Sequence, residues 1–415
     1  MGLSEIIKGK LTPKKILLFV VGLYYSGKII ELTSFIIWEL KYSLKLYSKN
    51  QILEFSDNHP SYILEDDFLP SEIQAKNFNL SRNEINWSLV FIDGLNNYWG
   101  VKYEEQSTLF YYTAENKLIS SFRFNGQILG IYVSKANNVF CCANGVLYKL
   151  CEIKNRFIPV QEFSTPHSYF RIDAFTESPS GELFIGEYAN VYKKNKWKFV
   201  GHIYHSRDNG NSWKTIDFLK NVGVNKHVHI IKWSNILKGL ILTDGDNQKN
   251  TWINISEYQF DKPSSYAYLG WKKLNKYHIQ KGGHTGIAEL HDQIFFGSDY
   301  MGGTNFFIKT NDMKRFTPTV IPNPYRRSIF NRIAIRKSQH QKYEIWSGLK
   351  FEHSGNLRSL IMVSTDLGET WERIIEYDGT QFDVLIISNS VEIASELHLV
   401  IKDKKKKVST TICVN

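Results

Sequence analysis

Three short apolar runs each end on a carboxylate. Leu183-Phe184-Ile185-Gly186 leads to Glu187-Tyr188, Leu240-Ile241-Leu242 to Thr243-Asp244-Gly245-Asp246, and Phe295-Phe296-Gly297 to Ser298-Asp299-Tyr300. Each is preceded by another run that opens on a cationic or imidazole side chain: Arg171, the pair His227 and His229, and His284. A fourth pair opens near Asn331-Arg332 and closes on Ser347-Gly348-Leu349-Lys350. Apolar runs of this length joined by a polar link read as β-hairpins, and a hairpin returns the end of its second strand to the start of its first. Carboxylate and base are thereby set side by side. Two carboxylates, Glu187 with Asp244 or Asp246, could hydrolyse a glycosidic bond as acid and base. A base such as His229, with Arg171 neutralising a substrate carboxylate, could instead eliminate across a uronic linkage. Tyr188, His227, Asp299, Arg332 and His284 would then bind substrate. His227 and His229 share one face of a strand and with Asp246 could hold a metal ion, but no third histidine stands beside them. The expectation is hydrogen-bond donors or an acid and base, with no metal and no cofactor.

The elements that position these residues are marked by two near-copies, Ser206-Arg207-Asp208-Asn209-Gly210-Asn211-Ser212-Trp213 and Ser364-Thr365-Asp366-Leu367-Gly368-Glu369-Thr370-Trp371. Both read S-x-D-x-G-x-[ST]-W after a short apolar strand. Asp208 and Asp366 can accept N–H bonds within a tight turn, Gly210 and Gly368 can take a positive φ, and Trp213 and Trp371 can fold back as apolar wedges. The pattern resembles the Asp-box, or BNR, repeat of the sialidase-like β-propellers. Degenerate copies follow Ile253-Asn254-Ile255-Ser256 and Phe307-Ile308-Lys309-Thr310, and the register positions Ser206, Ser256, Thr310 and Ser364 recur at intervals near 50 residues. That rhythm predicts four consecutive blades. Residues 109–113 and 146–150 read as third strands of two more, so the expected fold is all-β, a six- or seven-bladed β-propeller. A closing blade is expected to be shared between residues 87–92 and the final strands at 382–387, 397–402 and 409–414. In a propeller the strand ends named above converge on one face of the central funnel, the default place for a ligand.

Aromatic residues make up 14% of the 415 residues, which suits pleated, half-buried surfaces, and only 10 prolines argue against long disordered linkers. The chain divides into an N-terminal helical segment (1–50), a linker (51–79) and the propeller (80–415). Residues 16–38 are mostly apolar, interrupted by Lys28 and Glu31 at helical i, i+3 spacing and flanked by lysines on both sides. Tyr24-Tyr25-Ser26-Gly27-Lys28 makes a poor signal cleavage site. The segment is expected to be an uncleaved membrane-associated helix or helix pair; the alternative is an amphipathic helix packed on the propeller of a cytoplasmic protein. The net charge of +10 fits an acidic glycan or an anionic membrane surface. Nucleic acid is not expected, since the lysines form no stripe and their one run, around Lys404 to Lys407, reads as a solvated turn. The four cysteines, Cys141, Cys142, Cys151 and Cys413, have no metal-ligand spacing.

Tyr169-Phe170-Arg171-Ile172-Asp173, with Ser178-Pro179-Ser180-Gly181-Glu182-Leu183 after it, looks like the arginine-bearing strand and hairpin that open the sialidase catalytic site. The resemblance implies that Arg171 binds a sugar carboxylate, with Arg332 as a further member of an arginine triad. Asp173 stands where that motif has proline. Over residues 165 to 375, Gly-Glu-Tyr at 186–188, His-Val-His at 227–229, Thr-Asp-Gly-Asp at 243–246 and Gly-Ser-Asp at 297–299 resemble a group of bacterial BNR-like propellers often encoded beside polysaccharide genes. The function expected is therefore glycan-directed: a sialidase-like glycosidase, or a lyase, acting on an acidic sugar of a bacterial surface polysaccharide. The alternative is a non-catalytic propeller that binds a glycan or protein at the membrane during envelope polysaccharide assembly.

Overall fold

In the computed structural model, seven antiparallel sheets follow one another along the chain as the blades of a β-propeller. The structure describes residues 12–25, 29–56, 62–65, 69–75, 78–193, 196–223, 226–245, 249–255, 270–274, 283–300, 303–351 and 357–414. The inner strands of blades 1 to 7 are Trp87–Ile92, Ile128–Val133, Phe175–Glu177, Val228–Ser234, Gly286–Leu290, Ile329–Lys337 and Phe382–Ile386. The expected third strands are all present: Thr108–Tyr112, Val146–Cys151, Ile203–Ser206, Thr251–Asn254, Phe306–Thr310 and Leu357–Ser364 lie third in blades 1 to 6. Ser256 lies outside the described residues. Apolar side chains pack between blades, as where Tyr132 of blade 2 stacks on Phe175 of blade 3 with ring centroids 3.9 Å apart.

One turn device recurs on a single end of the propeller. A Ser, Thr or Asp side-chain oxygen accepts the backbone N–H four residues on, from Asp93 to Asn97, Thr113 to Lys117, Ser134 to Asn138, Ser178 to Glu182 and Ser338 to Lys342. This is how short polar side chains favour turns. The two S-x-D-x-G-x-[ST]-W turns elaborate it. Ser206 Oγ accepts from Gly210 N, while Asp208 accepts from Asn211 N, Ser212 N and Ser212 Oγ; Ser364 and Asp366 repeat the arrangement. Slight burial opposes ionisation of Asp208, yet these bonds hold its carboxyl down at about 2. Gly210 and Gly368 take φ of 81° and 78°, and a Cβ on either would press into a ring of the preceding blade, Phe140 or Phe307. Alanine at either position is expected to cost about 1–2 kcal/mol for the left-handed backbone and about 1–3 kcal/mol for overpacking. Urea midpoints should fall accordingly; an unchanged midpoint would refute the close approach of these glycines to the rings.

Closure differs from the expectation. Trp87–Ile92 is the inner strand of blade 1 and is not shared with the closing blade; Phe78–Arg82 instead pairs with Val408–Val414, and Glu72–Ala75 adds outside it. A ring of meanders leaves the outer edge of its last blade open, and residues before the first inner strand are the ones placed to cover it. Of the stretch 51–79, expected as a linker, the described residues carry further pairings. Ile52 bridges to Val320 of blade 5, and Glu54–Phe55 and Tyr62–Ile63 pair in parallel with Thr370–Asp378 of blade 6. Together they form a strap around three blades.

Among the described residues two helices precede the strap, Pro13–Tyr25 and Ile29–Ser43. Among the described residues no helix is long and apolar enough to cross a membrane. The second helix packs on blade 5: Trp38 meets Phe306 edge-on at 5.0 Å, and Glu39 accepts from Arg326, Arg327 and Thr304. Burial opposes ionisation, but Arg326, Thr304 and Arg327 together hold the Glu39 carboxyl below its usual range. The pairing expected of Lys28 with Glu31 lies outside the described residues. Residues 404–407 form the turn expected of the lysine run.

Candidate functional site

At the end of the channel where inner strands begin, blades 3 to 5 bring together several of the expected residues. His227 precedes the inner strand of blade 4 and His229 is its second residue, and their Nε2 atoms lie 3.1 Å apart. His227 Nδ1 is 2.9 Å from the carbonyl of Ala189, which can only accept, so that nitrogen carries a proton. The exchangeable proton of the pair is therefore on the line between the two Nε2 atoms. Tyr188 lies over His227 with centroids 4.0 Å apart and reaches His229 at 6.0 Å, and the Arg171 guanidinium sits 5.4 Å from the Tyr188 ring. Arg171 belongs to the turn before Phe175–Glu177 and does not start the strand itself. The histidines are buried, whereas Arg171 and Tyr188 are half-exposed at the rim. Lys249 completes the rim, its ammonium 5.0 Å from the Tyr300 ring and bonded to the Asp299 carbonyl. Nothing in the apolar pattern marked Lys249, because it sits in a loop.

The expected carboxylates are placed differently. Glu187 is fully buried; its Oε1 accepts from Ser164 N and Oγ and its Oε2 from Tyr204 OH at 2.6 Å. Burial and that carboxylate together push the Tyr204 hydroxyl well up. Asp244 accepts from Asn250 N, Asn250 Nδ2 and Trp252 Nε1, which close the loop behind it. Burial raises its pKa to about 6 against those bonds. Both side chains are committed to the chain's own donors, so neither is presented as the catalytic carboxylate expected of it. Asp246 lies outside the described residues. Asp299 is half-buried at the rim.

Arg332 is corrected as well. It is the fourth residue of a long inner strand, donates to the carbonyls of Ile386 and Ser388, and approaches Asp173 at 3.9 Å. It stands in the wall of a central cavity of about 340 Å³, its guanidinium engaged by those carbonyls. That cavity runs along the inner strands, from Ile172, Asp173 and Phe175 near the start of blade 3 to Ile92, Val133 and Trp233 near the strand ends of blades 1, 2 and 4. Its polar groups are largely turned on the protein: Glu177 accepts from Lys135 N, Glu289 from Asn235 N and Ile236 N, and Asn389 donates to Ile172 O. Among the described residues, Glu396, His398 and Cys413 are the set whose ligand atoms gather as for a metal, within 4.8 Å. Tyr98 OH already donates to Glu396, and burial pushes the Cys413 thiol up to about 12, which disfavours the thiolate a metal needs.

His284 and His398 make a pH prediction. Burial lowers their pKa values to about 3 and about 4, against an ordinary value near 6.5. As pH falls below about 6.5 the unfolded chain takes up protons that the folded rings refuse. The stability they contribute is present above that pH and is lost on acidification, at about 1.4 kcal/mol per pH unit per ring. Asp244 has the opposite sign, favouring the fold below its unfolded pKa and losing that contribution as pH rises through about 6. Chemical unfolding at stepped pH should show an acid limb that His284→Gln and His398→Gln each flatten. An unaltered limb would contradict the burial of neutral rings.

No protein-family model and no curated protein sequence matches the chain. Solved structures do resemble it. A chain of a mitotic checkpoint complex aligns with TM-score 0.50 and 11% identity over 89% of this chain and 99% of that one. A luciferin-regenerating enzyme gives TM-score 0.43 and 12% identity over 70% and 95%, and a gluconolactonase from Xanthomonas campestris 0.39 and 7% over 71% and 93%. At such identities the likeness is one of fold alone.

Proposed function

We propose that the funnel mouth takes an acidic sugar and that the histidine pair acts as the base in an elimination across a uronic linkage. The observation that carries this is the 3.1 Å approach of His227 Nε2 and His229 Nε2 beside Tyr188 and Arg171. Arg171 and Lys249 would hold the sugar carboxylate and Tyr188 would stack on the ring. With the carboxylate neutralised, the pair withdraws the proton on the carbon next to it. The C–H electrons form the new double bond, the bond to the leaving oxygen breaks, and that oxygen takes from the pair the proton the pair has just withdrawn, so the products sum to the substrate. Elimination is favoured over hydrolysis because Glu187 and Asp244 are fully engaged by the chain's own donors, whereas hydrolysis needs two available carboxylates. We also assign the two S-x-D-x-G-x-[ST]-W turns to the Asp-box type of the sialidase-like propellers, on the matched bonding of Asp208 and Asp366.

The test is mass spectrometry of a panel of acidic oligosaccharides after incubation with the full chain. Elimination gives fragments whose masses sum to the substrate, one of them unsaturated. Fragments heavier by one water in sum would overturn elimination and restore hydrolysis. Binding without turnover would leave a non-catalytic glycan-binding propeller, and absence of binding across the panel would overturn the glycan reading itself.

A further inference from the structure

The two N-terminal helices display an apolar surface that the propeller does not cover. In Pro13–Tyr25, Ile16, Leu17, Leu18, Val20, Val21 and Tyr24 are 40–68% exposed. Beyond it Ile29, Ile36, Ile37, Leu40, Leu44 and Leu46 are 38–63% exposed. Exposed apolar side chains gathered in this number on two neighbouring helices mark an interaction site. Charge indicates what covers it. Lys14 and Lys15 open the first helix, Lys41 lies in the last turn of the second and Lys45 just beyond it, and Glu39 is already neutralised by Arg326 and Arg327. Apolar side chains flanked by lysines complement an anionic lipid surface. The described helices have 13 and 15 residues and reach about 20 Å, short of the roughly 30 Å hydrocarbon core, lengths that suit one leaflet.

The helices also have a fixed place on the propeller. Phe35 meets Tyr300 at 6.0 Å, Tyr42 OH accepts from Asn323 N, and Glu39 reaches Thr304 and Arg326. Those partners lie in the loops between the second and third strands of blade 5 and between blades 5 and 6. Both loops are at the end where inner strands begin, the end of the funnel mouth, and Tyr300 itself borders Lys249. We infer that the helix pair lies in one leaflet of an anionic bilayer and holds the funnel mouth beside it, so that the acidic glycan is one anchored in that membrane. The last clause rests on the function proposed above; the membrane clause does not.

The experiment is flotation of the full chain with vesicles of phosphatidylcholine, with and without phosphatidylglycerol, alongside binding of a soluble acidic oligosaccharide. The chain should float with the anionic vesicles. Leu17→Asp with Val21→Asp should weaken partitioning at least tenfold, and Lys14→Glu with Lys15→Glu should weaken it and remove its salt dependence. Leu17, Val21 and Lys14 are exposed and Lys15 is half-buried, all on the first helix, so thermal melts and oligosaccharide binding should be unchanged. No flotation of the wild-type chain overturns the inference, and light scattering showing a dimer that the aspartates dissolve would assign the face to a second copy instead. Flotation without oligosaccharide binding would sustain the membrane clause and remove the anchored-glycan clause.

Discussion

Replacing Glu187 by alanine is expected to lower the free energy of unfolding by about 3 kcal/mol, the scale set by orphaning buried donors at about 1–3 kcal/mol each. The carboxylate is fully buried and gathers three of them, Ser164 N, Ser164 Oγ and Tyr204 OH, from either side of the strand end it occupies. Removing it leaves those groups without their acceptor in a dry site. Tyr204→Phe removes one of the same bonds, so the double variant should be less destabilised than the sum of the singles, by about 1 kcal/mol. Glu187→Gln keeps one acceptor oxygen for Tyr204 but sets an amide against Ser164 N, and should fall between wild type and alanine. Urea unfolding of the full chain measures all four. A glutamine variant as stable as wild type but devoid of turnover would return Glu187 to the chemistry and remove its structural role.

This residue also shows where sequence legibility ends. Strand order was readable because turn residues recur in register: Ser206, Thr310 and Ser364 end third strands of blades 3, 5 and 6 as their spacing implied. The pairing of Phe78–Arg82 with Val408–Val414 has no such signal, since it joins opposite ends of the chain and depends only on the ring closing there. The funnel position of His227, His229 and Tyr188 followed from hairpin geometry. What the carboxylates do could not follow, because the donors to Glu187, Ser164 and Tyr204, stand 23 and 17 residues away, and those to Asp244, Asn250 and Trp252, lie across a loop that the apolar pattern does not mark. Arg332 misled for a related reason. Its strand runs nine residues, so a side chain near its start already faces the central cavity and the Ser388 carbonyl.

The largest kinetic effect is expected at the histidine pair. Loss of a positioned general base removes about 10²- to 10⁴-fold in rate, and His229→Ala should fall in that range on any oligosaccharide the protein cleaves. His227→Ala should do the same, because the shared proton between the Nε2 atoms needs both rings. The double variant should then be little worse than either single, as for residues acting as one unit. Arg171→Ala should separate from these. Its guanidinium stands over Tyr188, 5.4 Å from the ring, and its proposed part is to hold the substrate carboxylate, so its loss should raise KM more than it lowers kcat. If the histidine variants instead raise KM alone and leave kcat intact, the pair is a binding contact. If His227→Ala and His229→Ala multiply as independent effects, the short approach of their Nε2 atoms is not what the reaction uses, and the base must be sought elsewhere on the funnel rim.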